Sequence, residues 1–306
     1  MTTATTTATA LRNGIATIIA TVFAMALADA LVKHSSAGMT LWQIWVLRSV
    51  FVIPVLFLMA QGRLSTQGLK WVLLRSVTLA AMYLGIYAAI PLLDLSVIAA
   101  ALYTGPLFIL VLSAVVLGEP VRLLHWTAML TGFAGVLLIV RPFAAGFSLL
   151  TLLPVAAAAL YALAAVLTRA KCAQIPATTL ALWLNLTFLA LGGAASLALS
   201  VPQATGALPA YPFLFATWQP MDPQDWGLIL GLAALMVVIG IGLARAYQSP
   251  RPQVIAAFDY AYLIFAGLWG YLFFREIPDN WTITGMALIA AAGPLILLAH
   301  RKDTAP

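Results

Sequence analysis

Long apolar segments recur along the whole chain, separated by short stretches that hold most of the charged residues. Each segment has about 20 residues, the length that an α-helix needs to cross a hydrocarbon layer about 30 Å thick. The segments cover residues 13–32, 41–60, 70–91, 95–117, 123–141, 148–170, 178–200, 226–247, 253–274 and 280–299. The pattern therefore predicts an all-α integral membrane protein with ten transmembrane helices, which we number as spans 1 to 10.

The pattern occurs twice in the chain. Val97-Ile98-Ala99-Ala100 recurs 157 positions later as Val254-Ile255-Ala256-Ala257, and Lys33 recurs 138 positions later as Lys171. The two offsets differ because the second copy contains a Pro-rich insertion at about residues 201–225. Self-similarity at a fixed offset indicates a tandem duplication.

The duplication sets the predicted domains. We expect a disordered tail at 1–12, a first repeat at 13–145, a second repeat at 146–300 and a carboxyl-terminal tail at 301–306. Each repeat holds five spans. An odd number of spans forces the second copy to insert in the opposite orientation, which is the inverted-repeat arrangement of many secondary transporters. A duplicated scaffold that moves no solute is the alternative.

Composition and charge agree with a membrane location. The chain is 63% apolar and 8% charged, against roughly 25% charged residues in ordinary soluble domains. Of its 15 Lys and Arg residues, Arg48 lies within span 2, three lie on one side of the predicted membrane and eleven, Arg75 among them, lie on the side of the amino terminus. Basic residues are enriched in cytoplasmic loops. Both termini are therefore expected in the cytoplasm, and the net charge of +6 reflects topology rather than a nucleic-acid surface.

An alternative for span 1 is a cleaved signal peptide. Ala26-Leu27-Ala28 follows an apolar run, as a signal-peptidase site does. Against cleavage, Arg12 is the one basic residue ahead of that run, and the same pattern recurs at 155–171 in the middle of the chain. The single cysteine, Cys172, excludes an intrachain disulfide and a cysteine metal cluster.

Four short motifs carry a family resemblance. They are Leu117-Gly118-Glu119-Pro120 and Phe274-Arg275-Glu276 at the ends of spans 4 and 9, Ala256-Ala257-Phe258-Asp259-Tyr260 at the start of span 9, and residues 135–142 at the end of the first repeat. With these motifs the chain resembles the drug/metabolite transporter (DMT) superfamily in its ten-helix, two-repeat EamA-type branch. Its aromatic residues are most similar to those of the YddG-type aromatic amino acid exporters. The resemblance implies export of small organic solutes across a bacterial inner (plasma) membrane.

One position departs from the family pattern. Arg275 precedes Glu276 where the first repeat has Gly118 before Glu119. The two glutamates either have equivalent roles in the two halves or mark the ends of their helices.

Charged residues within the spans form two candidate pairs. Asp29 and Arg48 lie at similar depth near one side of the membrane, and Arg245 and Asp259 lie near the other. One pair on each side is the arrangement that alternating gates require. Static pairs that hold neighbouring helices together are the alternative, because a charge in hydrocarbon needs a partner in either case.

Candidate solute contacts are polar and aromatic residues in the middle of spans. They are Phe23, Tyr83, Tyr87, Tyr103, Tyr161, Asn185, Tyr247 and Tyr260. Aromatic faces with a few polar groups favour an aromatic or apolar amino acid over a sugar or phosphate. The alternative is that these side chains face lipid or pack between helices.

A break in span 4 is a candidate hinge. Gly105-Pro106 lies near its middle, and proline removes one backbone hydrogen bond from a helix. Such a break allows bending close to a binding site.

Enzyme chemistry has no motif to support it. The sequence contains neither a phosphate-binding loop nor a His-Glu-x-x-His motif. We therefore expect no enzyme, no cofactor, no metal site, no ATPase subunit and no nucleic-acid partner. The predicted function is secondary transport by alternating access, with a passive facilitator or channel-like exporter of other metabolites or drugs as the alternative. Proton coupling through Asp29 or Asp259 is left open by the sequence.

Overall fold

α-Helices account for almost all of the secondary structure. The computed structural model describes residues 2–61, 66–102, 104–118, 123–140, 149–200, 211–248, 255, 258–259 and 261–303. Within these ranges the helices are α1 (Thr2–Ser35), α2 (Leu41–Met59), α3 (Leu69–Ala89), α4 (Leu95–Leu102), α5 (Gly105–Leu117), α6 (Leu123–Val140), α7 (Leu153–Lys171), α8 (Ala177–Ser200), α9 (Pro212–Phe215), α10 (Pro223–Tyr247), α11 (Ala261–Phe274) and α12 (Asn280–Asp303). A 3₁₀ turn at Leu149–Leu152 precedes α7.

Seven helical segments in the described part of the chain are long and apolar enough to cross a membrane. They are Leu11–Ser35, Leu41–Met59, Leu69–Ala89, Val97–Val116, Leu153–Lys171, Ala177–Ser200 and Pro223–Tyr247. Three shorter apolar helices, at Leu130–Ile139, Ala261–Phe274 and Asn280–Ala292, lie where spans 5, 9 and 10 are predicted. The fold is therefore that of a multi-pass membrane protein.

Hydrogen bonds at the two ends of α10 define two ends of the bundle, because Gln219 just before it bonds to Gln43 at the start of α2 and Gln248 just after it bonds to the turn between α7 and α8. We call the end with the turn between α1 and α2 (residues 36–40) the distal end, and the end with the turn between α7 and α8 (residues 172–176) the proximal end. At the proximal end, Gln248 Nε2 donates to the carbonyl oxygens of Cys172 (3.1 Å) and Ile175 (2.6 Å). These bonds join the end of α10 to the α7–α8 turn.

Much of the helix packing has the same pattern when the two halves are exchanged. α1 packs against α10 and α11, while its counterpart α7 packs against α3 and α5. Likewise α2 packs against α10, and its counterpart α8 packs against α3. Two further large contacts join counterparts directly, α2 with α8 and α6 with α12, whereas the packing of α8 on α10 has no equivalent between α2 and α3 among the described residues. Most of the contacts between the two halves therefore come in equivalent pairs or join a helix to its own counterpart in the other half.

The break in span 4 is the start of a new helix. α4 ends at Leu102, and α5 begins at Gly105 with Pro106 in its first turn. Proline is compatible with the first turn because that N–H has no intrahelical acceptor. Pro54, in contrast, lies inside α2.

The same backbone conformation ends α5 and α11. Gly118 has a φ of 69° and Arg275 a φ of 58°, so both residues are left-handed. The two are counterparts, because they lie 157 positions apart. After Arg275, the Glu276 N–H donates to Gly270 O (3.2 Å) and closes the last turn. The substitution of arginine for glycine thus leaves the helix end unchanged but places a side chain in a conformation that glycine adopts at lower cost.

A close helix crossing depends on glycine. A Cβ at Gly242 in α10 would clash with the Thr21 side chain in α1. Thr21 is itself fixed, since its hydroxyl donates to Thr17 O at 2.7 Å. Gly242 therefore allows α1 and α10 to approach closely in the proximal half of the bundle.

The described part of the insertion, residues 211–222, is fastened to the distal end. Tyr211 donates from its hydroxyl to Ala88 O (2.6 Å), and Trp42 donates from Nε1 to Leu214 O (2.7 Å). Gln43 exchanges two hydrogen bonds with Gln219, at 3.0 and 3.1 Å. Burial raises the pKa of the Tyr211 hydroxyl to about 12, so it remains a donor at neutral pH.

Two expectations from the sequence need correction. Residues 2–12, predicted to be a disordered tail, continue α1, whose first described residue is Thr2; the alanines in this stretch favour helix. Arg75, counted among the charges on the side of the amino terminus, lies in the second turn of α3 and is 1% exposed, so it belongs to the protein interior and not to the membrane surface. A long side chain within a span can turn inward and pack between helices, and the sequence does not record that direction.

Candidate functional site

A small cavity lies in the interior between the two halves. Its walls are made by residues of α1, α3, α4, α7 and α11 and by Asp259, which precedes α11: Val22, Met25, Met82, Ile86, Leu102, Tyr161, Asp259 and Tyr262. The space open to the centre of a water-sized sphere is about 40 Å³. This is enough for water, whereas ligand pockets typically measure about 300–1,000 Å³. We call this arrangement, in which the cavity is too small for an organic solute, the closed state.

Asp259 is the acidic group of the cavity wall. It is 7% exposed, and its carboxylate accepts hydrogen bonds from the hydroxyls of Tyr161 (2.6 Å) and Tyr247 (2.8 Å). The two tyrosine rings meet edge to face, with centroids 5.7 Å apart. Asp259 thus joins α7 and α10 to the start of α11 at the centre of the protein.

A second buried carboxylate, that of Asp29, is linked to the cavity wall through Tyr262. Tyr262 follows Asp259 by three residues and also lines the cavity. Its hydroxyl donates to Asp29 Oδ2 in α1 at 2.6 Å. Asp29 is 4% exposed. The cavity is therefore bordered by two carboxylates, one in its wall and one behind Tyr262.

Arg48 lies beside Asp29 in a tightly packed aromatic cluster. Its guanidinium is 4.9 Å from the centre of the Phe188 ring, and Tyr83 and Tyr87 are close enough for electrostatic interaction with it. None of its three nitrogens has a hydrogen-bond partner of good geometry among the described residues. Asp29 also interacts with this charge, but the carboxylate forms its hydrogen bond with Tyr262. The predicted pair is therefore close in space without being a direct ion pair.

A direct ion pair joins three helices at the distal end. Lys33 Nζ in α1 lies 2.5 Å from Glu276 Oε1, beyond the end of α11, and donates to Leu93 O at 2.9 Å. Glu276 Oε2 accepts from the N–H of Leu95, the first residue of α4, at 2.9 Å. Glu276 thus connects helices as well as following the end of one.

Comparison with known proteins identifies the family. Residues 12–141 match the EamA-like transporter family. The pseudopaline exporter CntI of Pseudomonas aeruginosa (strain UCBPP-PA14) is 30% identical over 274 residues, which are 86% of this chain and 88% of the relative. The chain belongs to the EamA-like transporter family. This membership supports a transporter and is consistent with a location in a bacterial inner membrane and with the absence of enzyme chemistry.

Other comparisons agree with the EamA-like assignment. The riboflavin transporter of Rhizobium johnstonii is 28% identical over 266 residues, which are 86% of this chain and 81% of that protein. A protein of known crystal structure has the same fold, with a TM-score of 0.67 over 97% of this chain and 99% of that chain at 18% identity. The EamA-type resemblance is thereby confirmed. The finer likeness to the YddG-type exporters is not supported, because these relatives are named for pseudopaline and riboflavin.

Seven of the eight predicted contact residues of this EamA-like protein fall into three groups. Tyr161 lines the cavity, and Tyr247 reaches it through Asp259. Tyr83 and Tyr87 are buried near Arg48, and Asn185 is buried in α8, where its Nδ2 donates to Ala181 O at 2.9 Å. The residues that lie outside the described part of the chain are Tyr103 and Tyr260.

Two predicted residues lie away from the cavity. Phe23 is 40% exposed and packs on Phe265 and Trp269, with ring centroids 5.1 and 5.6 Å away. Arg245 is exposed near the end of α10, whereas Asp259 is buried. The structure therefore does not bring the predicted Arg245–Asp259 pair together. The hydroxyls of Tyr161 and Tyr247 donate to the Asp259 carboxylate instead.

Sequence reasoning missed two residues of the interior. Tyr262 was available as an aromatic residue three positions after Asp259, on the same helix face. Arg75 was available as a basic residue more than one turn inside a predicted span. In both cases, the position of the residue well inside a predicted span indicated that its side chain lies within the membrane.

Proposed function

We propose that the protein is a secondary exporter of small organic solutes that carry an amino group, and that it works by alternating access. The observation that carries this proposal is the burial of Asp259 in the cavity wall, where Tyr161 and Tyr247 hold its carboxylate. A carboxylate in a region of low dielectric attracts a cationic group strongly. Ionisable residues within a membrane commonly mark solute pathways.

The rest of the cavity wall determines what surrounds the amino group. Apart from Tyr161, Asp259 and Tyr262, its lining is aliphatic or thioether: Val22, Met25, Met82, Ile86 and Leu102. Methionine adapts its shape to varied apolar ligands. An amine with an apolar or aromatic body suits this wall, and amino acids with such side chains belong to that class. The direction of transport follows the pseudopaline exporter.

The proposed architecture is ten spans in two inverted repeats, with both termini in the cytoplasm. The helix contacts that are preserved when the halves are exchanged, such as α1 with α10 and α7 with α3, support it. The matching left-handed residues Gly118 and Arg275 support it as well. In this topology the distal end faces outward, and the closed cavity lies between the halves, where transporters of this kind bind solute.

Solute binding requires the helices around the cavity to part. A space of about 40 Å³ cannot hold an amino acid, so the closed state must alternate with wider ones. We place the hinge at Gly105 and Pro106, because the helical hydrogen bonding is already interrupted between α4 and α5 there. Asp29 and Arg48 are proposed to separate or approach as the distal side opens or closes.

Counterflow in proteoliposomes tests the proposal. Vesicles containing the purified protein are loaded with unlabelled phenylalanine or phenethylamine, and uptake of the same radiolabelled compound is followed with and without a pH gradient. We expect saturable uptake with counterflow in the wild type. Asp259→Asn should abolish it, whereas Asp225→Asn, at a partly exposed site in the first turn of α10, should not.

The outcomes separate the alternatives. Uptake that neither saturates nor shows counterflow would establish a passive facilitator. Equal counterflow in wild type and Asp259→Asn would remove Asp259 from the site. A change of rate with the pH gradient in the wild type would establish proton coupling.

A further inference from the structure

Arg75 is a buried cation that the proposed mechanism does not yet use. It lies in the second turn of α3 and is 1% exposed. Its Nε donates to Thr168 Oγ1 in α7 at 2.7 Å, and the Thr168 hydroxyl in turn donates to Ala164 O at 2.7 Å. Its Nη1 has no hydrogen-bond partner among the described residues. The guanidinium is thus held in place by one nitrogen while another remains unsatisfied.

No described carboxylate balances this charge. The groups that interact electrostatically with Arg75 are the Cys172 thiol and the hydroxyls of Tyr83 and Tyr161. Arg48, by contrast, lies near Asp29. An unbalanced cation in a low-dielectric interior is costly. Such a group calls for an anion that is bound during function.

Arg75 faces a narrow pocket next to the central cavity. Thr168, Tyr161 and Tyr247 share the walls of this pocket with Arg75. Tyr161 also lines the central cavity, and both tyrosines donate to Asp259. In the closed state the pocket has no space for the centre of a water-sized sphere. The pocket must therefore widen before an organic anion binds.

We propose that Arg75 and Thr168 form a carboxylate subsite, which binds the acidic group of a solute whose amino group faces Asp259. This inference rests on the proposed function and narrows its solutes to amino carboxylates. The planar guanidinium offers two parallel donors to a carboxylate. Such a solute brings one negative charge to Arg75 and one positive charge to Asp259. Because the closed state leaves Nη1 unsatisfied, binding of the anion favours the wider state.

Two probes that each carry half of the solute's chemistry test the subsite. 3-Phenylpropanoate has a carboxylate and no amine, and phenethylamine has an amine and no carboxylate. Binding of each to the purified full-length protein in detergent is measured from the concentration dependence of its thermal unfolding midpoint. The variants are Arg75→Gln, Asp259→Asn and, as a matched control, Arg169→Gln, which changes a partly exposed arginine one residue beyond Thr168.

The expected result is selective. Arg75→Gln should weaken binding of 3-phenylpropanoate roughly tenfold to a hundredfold and leave phenethylamine unaffected. Asp259→Asn should weaken phenethylamine and not 3-phenylpropanoate, and Arg169→Gln should change neither. The neutral 3-phenylpropanamide should not bind the wild type at the carboxylate's concentrations.

Two results would overturn the subsite. One is wild-type protein that does not bind 3-phenylpropanoate, and the other is Arg75→Gln protein that binds it as tightly as wild type. If Arg75→Gln does not fold, Arg75→Lys retains the charge without the two parallel donors and should give a smaller loss of affinity, while undiminished affinity would contradict the proposal. Failure of phenethylamine to bind the wild type would count against the role of Asp259. The binding of 3-phenylpropanoate would still test the role of Arg75 independently.

Discussion

Lys33 and Glu276 form an ion pair across 243 positions of sequence, with 2.5 Å between Nζ and Oε1. The side chains are 15% and 10% exposed, and each also bonds to the α3–α4 connection or to the start of α4, through Leu93 O and the Leu95 N–H. α1, α4 and α11 are therefore held together at the distal end. In the alternating access proposed above, opening of that end would have to break this contact.

Charge reversal tests the contact. Lys33→Glu should destabilise the protein by about 1–3 kcal/mol, because it leaves a largely buried carboxylate facing a like charge. The thermal unfolding midpoint of the protein in detergent measures the loss. The double variant Lys33→Glu with Glu276→Lys should recover part of it, and a double variant no better than the single one would contradict a direct pairing.

The counterpart residue provides the control. Lys171, 138 positions after Lys33, is exposed and lies over the Trp71 ring, with Nζ 5.3 Å from its centre. Lys171→Glu should change stability by no more than about 0.5 kcal/mol.

Arg275→Gly should stabilise the protein. The left-handed conformation of Arg275, with a φ of 58°, costs roughly 1 kcal/mol for a residue with a Cβ. Glycine removes that cost. It also loses the contact of the guanidinium with the Tyr271 ring, 5.6 Å from the ring centre, which offsets part of the gain. Arg275→Ala keeps the backbone cost and loses the same contact, so it should be less stable than wild type. The unfolding midpoints of the three proteins should follow the order Gly, Arg, Ala.

Gly242→Ala should disrupt the crossing of α1 and α10. The new methyl group would clash with Thr21, and crowding of this kind typically costs about 1–3 kcal/mol. Gly231→Ala on the same helix is the matched control, since a Cβ there has open space, and it should stabilise by up to about 1 kcal/mol through helix propensity. Equal effects of the two substitutions on the unfolding midpoint would argue against a close crossing.

Tyr262→Phe should lower the stability of the protein, because the buried Asp29 carboxylate loses its hydrogen-bond donor. The substitution removes the donor 2.6 Å from Asp29 Oδ2 and should destabilise the protein by about 1–3 kcal/mol. Tyr271→Phe, at a position that is 46% exposed on the same helix, should be neutral. Differential scanning fluorimetry of both variants provides the comparison, and a neutral Tyr262→Phe would show that Asp29 does not depend on this bond.

Features that depend on hydrophobicity and chain order were predicted well from the sequence. Apolar length indicated the seven membrane-crossing segments and the positions of the three shorter helices. Internal self-similarity related Gly118 to Arg275, and the structure gives both the same backbone conformation. Such features are local, so a pattern along the chain records them.

Partners between distant segments were harder to predict. Asp259 and Tyr161 were both singled out, but their bond joins residues 98 positions apart, and Arg245 was chosen as the partner instead. Phe23 shares its position in the repeat with Tyr161, yet it packs at the surface against Trp269. Helix rotation decides which face turns inward, and periodicity in a uniformly apolar helix does not specify that rotation.

The fastening of residues 211–222 has a consequence for transport. Tyr211, Trp42 and the Gln43–Gln219 pair tie the insertion to the distal ends of α2 and α3, and the first copy has no insertion that could do the same at the proximal end. The two halves can exchange shapes, but they cannot exchange this attachment. In the alternating access proposed above, the inward-open and outward-open conformations would therefore differ in energy by the worth of these distal hydrogen bonds.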